Sequence, residues 1–133
     1  MKRILIISAG FICMLSCKKS VDEVIDPVDI VFYSPAEKAT MLTNDSLLIS
    51  GKAVKTAIAP ETMKLHGYTM TVRKQNDTIT LFNFEAHAHG TELLFSKNWF
   101  NNTAAGTLLT AEIKVYTDHE GHFVSRKVNF VSK

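Results

Sequence analysis

Five histidines are the residues best suited to chemistry in this sequence: His66, His87, His89, His119 and His122. A neutral imidazole is a ligand for Zn(II), Cu(II) or Ni(II). In His87-Ala88-His89 two rings leave one side of an extended segment, and His119 and His122 span one turn of chain. Glu85, Asp118 and Glu120 stand close by in sequence. Each can add an oxygen ligand or hold a ring in orientation through its other nitrogen. Met63 and Met70 are soft donors, but Met70 falls on an apolar register and reads as core. The only cysteines, Cys13 and Cys17, lie near the N-terminus. That disfavours Cu(I) and zinc of the finger type, so Zn(II) or Cu(II) on imidazole is the sharper reading. The plainer alternative is a rim of solvated loop histidines with no physiological metal.

Catalysis has little support. There is no cysteine nucleophile beyond the N-terminal segment, no G-x-S-x-G elbow, no H-E-x-x-H and no P-loop. Five histidines suffice for a three-ligand catalytic zinc, yet nothing shapes a substrate pocket around them. A protein that binds, rather than one that transforms, is expected.

The elements that must position these rings are strands. Apolar residues alternate through most of residues 28–133, and no helical period is convincing; Pro35–Ala39 makes at most one turn. Val28, Ile30 and Phe32 mark a first strand. Leu47, Ile49, Gly51 and Ala53 mark a second, and Tyr68, Met70 and Val72 a third. Asn76-Asp77 turns the chain into a fourth over Thr78–Glu85. Its inward face depends on loop length: Ile79 and Leu81 after two residues, Phe82 and Phe84 after three. A short fifth covers Glu92–Phe95. Leu109, Ala111, Ile113 and Val115 form the sixth, and Val124, Val128 and Phe130 the seventh. Seven short strands with frequent turns predict an immunoglobulin-like or fibronectin-III-like antiparallel β-sandwich over 28–133. The Cys-Trp-Cys signature of antibody domains is missing. Phe95, Trp99 and Phe100 either plug the core or grip a sugar or protein partner.

Strand parity then places the histidines. If the third strand starts at the top, all three histidine-bearing loops fall at the top. The sixth, third and fourth strands are neighbours in such a sheet, so its outer two lie about 10 Å apart. Rings from the three loops can meet over the middle strand.

The N-terminus reads as an address. Lys2 and Arg3 precede a short apolar run from Ile4 to Leu15, too short for a bilayer span, which needs roughly 20 residues, and suited to a signal peptide over 1–16. Met14-Leu15-Ser16-Cys17 resembles the lipobox of bacterial lipoproteins, in which the signal is removed before a lipidated Cys. Cys17 and the polar, acidic stretch to Pro27 then form an anchor and tether over 17–27. Removing residues 1–16 brings the 15 basic side chains level with the 13 acidic ones, because that segment holds Lys2, Arg3 and no acid. No basic stripe for nucleic acid remains.

In overall plan the chain resembles the small surface lipoproteins of Bacteroidota that carry one immunoglobulin-like domain, many of unknown function. The resemblance rests on the lipobox, the tether, the seven strands and the Asp118–Gly121 hairpin. It implies a membrane partner through lipid at Cys17 and a place in the cell envelope. No Asp follows Cys17, which favours the outer membrane and leaves the leaflet open. It also implies an envelope protein or glycan as partner. Asp45-Ser46-Leu47 and Asp77-Thr78-Ile79 look like sites at which such bacteria O-glycosylate Ser46 and Thr78; both are equally good turn exits.

Overall fold

A computed structural model describes residues 26–133. The expected signal peptide, Cys17 and the expected tether before Asp26 lie outside the described residues. Eight strands follow one another: β1 (Val28–Ser34), β2 (Ala39–Met41), β3 (Asp45–Lys55), β4 (Gly67–Lys74), β5 (Thr80–Ala86), β6 (Glu92–Asn101), β7 (Leu108–Tyr116) and β8 (Phe123–Ser132). They form a three-stranded sheet in the order β1-β3-β6 and a five-stranded sheet in the order β2-β8-β7-β4-β5. Every pairing is antiparallel except β2 with β8. This is an all-β sandwich with the immunoglobulin-like division of strands. Among the described residues no helix is long and apolar enough to cross a membrane.

Period-two alternation builds the core. Leu47, Ile49 and Ala53 on β3 face Met70 and Val72 on β4 and Leu109, Ile113 and Val115 on β7 between the sheets, all nearly inaccessible to solvent. Gly51 interrupts the β3 series for a steric reason. A Cβ there would stand 2.1 Å from the Val31 carbonyl oxygen and 2.5 Å from the Phe95 ring. The glycine leaves room for the ring opposite it in register.

Three expectations change, and two alternatives left open are settled. The strand count rises from seven to eight. Residues 39–41, for which no element is predicted, pair with β8, and three residues are too few to show a period. The fifth predicted strand extends to Asn101 as β6. Lys97 hides its continuity, because it occupies an inward register position opposite Ile49 between Phe95 and Trp99. Its ammonium reaches across the open side of the sandwich and sits 4.2 Å from the centre of the Phe84 ring on β5. The strand expected at Thr78 starts at Thr80 after a longer loop, and a register shift at Leu81 turns Phe82 and Phe84 inward; Leu81 also packs against the core, and Ile79 is exposed. Finally, Phe95 and Trp99 are core residues, Trp99 edge-on to Phe130 at 6.4 Å, so they cannot grip a partner; Phe100 alone of the three is exposed.

The end of the sandwich away from the histidines closes over a buried polar knot. The Asn101 amide donates to the Leu42 carbonyl at 3.0 Å and to Ser132 Oγ at 2.9 Å. Its oxygen accepts from the Thr103 amide at 3.2 Å and the Thr103 hydroxyl at 2.7 Å. Thr43 Oγ1 completes the set at 2.9 Å from Ser132 Oγ. Donors and acceptors balance there, as burial requires.

Candidate metal centre

Antiparallel pairing brings three loops to one end. Gly67 at the start of β4 is opposite Tyr116 at the end of β7, and Tyr68 is opposite Ala86 at the end of β5. His66 therefore precedes β4 beside His87 and His89, which follow β5, and beside the β7–β8 hairpin that carries His119 and His122. Two backbone devices fix the loops. Leu65 and Gly90 exchange hydrogen bonds of 2.8 and 3.2 Å, tying the segment before β4 to the segment after β5. The His66 amide donates to the Tyr116 carbonyl at 2.9 Å. Gly67 makes this approach possible: its φ of 133° suits glycine, and a Cβ would lie 2.3 Å from the Ala86 carbonyl oxygen.

Four rings meet. His66 lies 4.0 Å from His119 and 4.9 Å from His89, centre to centre. His87 lies 4.5 Å from His89, their Nε2 atoms 2.9 Å apart. One of those nitrogens must donate a proton to the other. One ligand atom each from His66, His89 and His119 falls within 4.8 Å of the others. Nitrogens on a tetrahedral zinc at 2.0–2.1 Å stand about 3.3 Å apart, so the three need close only slightly, and two of them are on exposed, adjustable rings. His66 is the half-buried member. Its Nδ1 is inaccessible and has no hydrogen-bond partner among the described residues. Desolvation lowers the pKa of His66, with the neighbouring His119, His89 and His87 adding to the fall and Asp118 opposing it. At neutral pH the ring is therefore uncharged with a free nitrogen, the state in which imidazole binds a metal.

His122 departs from the expected five. Its ring turns to Asp118, with Nδ1 in a short contact to Oδ2. Asp118 Oδ1 also accepts from the amides of Glu120, at 2.9 Å, and His122, at 3.1 Å. The hydrogen bond to Asp118, then its negative charge and that of Glu120, raise the His122 pKa against desolvation. Desolvation would push the Asp118 carboxyl up, but the bonds from His122 and Glu120 hold it below its ordinary value. Asp118, Glu120 and His122 do lie within ligand distance of one another, but the Asp118 oxygens are already engaged. That carboxylate shapes the hairpin that presents His119.

The remaining candidates lie elsewhere. Glu85 belongs to neither group; it sits exposed on β5, opposite Thr69. Met70 is core and Met63 packs against the core, so neither thioether is a free ligand. Ser46 and Thr78 are exposed at the opposite end, where Asp45 and Asp77 bond the amides of Ser46 and Ile79. Sequence reasoning missed the Leu65–Gly90 bridge, which carries no residue signal, and the turning of His122, for which the Asp118–Gly121 turn was the available clue.

No protein-family model and no curated protein matches the chain. Among solved structures it is similar to a structure of murine CRIg, with 13% identity over 80% of this chain and 96% of that chain, at a TM-score of 0.43.

Proposed function

We propose that this chain is an envelope-tethered immunoglobulin-like binding module that captures a divalent transition metal, Zn(II) or Cu(II), on His66, His89 and His119. One observation carries the reading: three imidazoles from three loops offer ligand atoms within 4.8 Å of one another. The buried, unpartnered Nδ1 of His66 supports it, since a buried polar atom without a partner costs free energy until something satisfies it. His87 holds the His89 ring through a shared proton, which the metal displaces. Protons compete with the ion, so affinity falls as pH drops below about 6.5.

Anchoring through lipid at Cys17, in the outer membrane, belongs to the same proposal. Residues 26–28 enter at the histidine end, where the Pro27 carbonyl accepts from the Thr56 amide at 3.0 Å and Val28 is opposite Lys55. A short tether would keep the rings near the membrane.

The test is calorimetry on the untagged full chain in detergent, with Zn(II), Cu(II) and Ni(II) added separately. Submicromolar binding of one ion per chain, lost in the His89→Ala/His119→Ala variant, is expected. Weak binding without fixed stoichiometry would refute the reading and favour a second one. In that second reading the domain is an interaction module for an envelope protein or glycan. The outer face of the three-stranded sheet supports it, for it exposes Val31, Leu48, Leu94 and Phe100.

A further inference from the structure

The outer face of the five-stranded sheet carries a second set of unsatisfied polar groups, far from any histidine. Thr71 on β4 is opposite Glu112 on β7, and Glu112 is opposite Lys127 on β8. Arg73 occupies the next outward position on β4, opposite Thr110. These side chains line a groove of about 370 Å³, within the range of small-ligand sites. Thr71 and Glu112 point away from the core yet are only 7% and 8% exposed.

Part of the groove is already spoken for. Asn129 accepts from Thr110 Oγ1 at 2.8 Å, and its amides donate to the Glu37 carboxylate at 2.8 and 3.3 Å. The other part is not. Thr71 Oγ1 and Arg73 Nε are both inaccessible and without a hydrogen-bond partner among the described residues. Lys127 Nζ stands 3.7 Å from Glu112 Oε1, too far for a good hydrogen bond. Sandwiches of this size bury few such orphans, and here two stand on successive outward positions of one strand, both lining the groove.

We infer that this groove is a saccharide site and that its ligand carries a carboxylate. Among the lining charges Arg73, Lys74 and Lys127 outnumber Asp77 and Glu112, which favours an acid. A hydroxyl can donate to Glu112 while another bonds the Thr71 hydroxyl, which takes either role. No aromatic ring lines the groove, so an apolar ligand gains little. The inference is independent of the metal centre, since it uses none of the same residues.

Disaccharides of glucuronate, galacturonate and N-acetylneuraminate are the probes, titrated into the metal-free full chain in detergent and followed by amide NMR shifts and calorimetry. At least one is expected to shift Thr71, Arg73 and Glu112. Its neutral counterpart and acetate at equal ionic strength should bind at least ten times more weakly. Thr71→Val should weaken binding at least tenfold while the melting temperature holds or rises, because the lost hydroxyl bonds nothing within the sandwich. Arg73→Gln should abolish the preference for acid over neutral sugar. If no probe shifts these amides, if acetate binds as well as the sugar acids, or if Thr71→Val binds unchanged, the inference is wrong.

Discussion

The two ends of the sandwich handle polar side chains in opposite ways. At the far end Asn101, Ser132 and Thr103 are buried and each hydrogen-bonding group meets another of the chain. At the near end four imidazoles converge with one hydrogen bond among them, and a buried nitrogen of His66 has no partner. Burial alone thus does not separate structure from function. Satisfaction differs: the far knot is complete within the chain, whereas the near cluster leaves the His66 nitrogen without a partner among the described residues. His122 shows the rule within one hairpin, since the ring that finds a carboxylate leaves the cluster.

Perturbing the two ends separately tests this contrast. Trp99→Ala, beside the far knot, should cost about 3–5 kcal/mol of unfolding free energy in urea melts, because it empties a packed aromatic site. Asn101→Ala should cost about 3 kcal/mol, since it orphans the partners of both amide ends. At the near end, His89→Ala/His119→Ala should leave the metal-free melting curve unchanged and weaken Zn(II) binding at least 100-fold, about 2.7 kcal/mol. Zinc at one hundred times its Kd should raise the stability of the parent chain by about 2.7 kcal/mol and that of the variant not at all. A large loss of metal-free stability at the near end would erase the contrast.

The smallest effect is in titration. In the metal-free protein, ring-proton NMR should place His122 above 6.5 and His66 below it. The signs differ accordingly. His122 contributes stability that is full below 6.5 and is lost as pH rises through its raised folded value. His66 weakens the fold as pH falls from 6.5 through its lowered one. Asp118→Asn should bring His122 back toward 6.5 and loosen the loop that presents His119. Two histidines titrating together near 6.5 would contradict the division of the hairpin.

Much of this was legible from residue order. Alternation located the inward residues of β1, β3, β4 and β7, and strand parity put every histidine loop at one end, because both depend only on the period of the strand. What could not be read came from contacts distant in sequence. A parallel pairing of three residues made β2, a register shift at Leu81 decided between Phe82 and Ile79, and an internal lysine concealed half of β6. The groove around Thr71 was equally hidden, since an outward threonine on a polar strand face reads as solvated until its neighbours are seen to cover it.

That internal lysine has a further consequence. β6 is a ten-residue strand whose outer edge is unpaired among the described residues, and it exposes Leu94 and Phe100, apolar residues that make such edges adhesive. A second molecule adding a strand there would extend the sheet past Lys97 and trap the ammonium now held between Phe84 and water. The desolvation of that charge opposes fibre-like stacking of copies. The residue that blurs the strand pattern in the sequence is thus also the charge that guards the edge of the sheet.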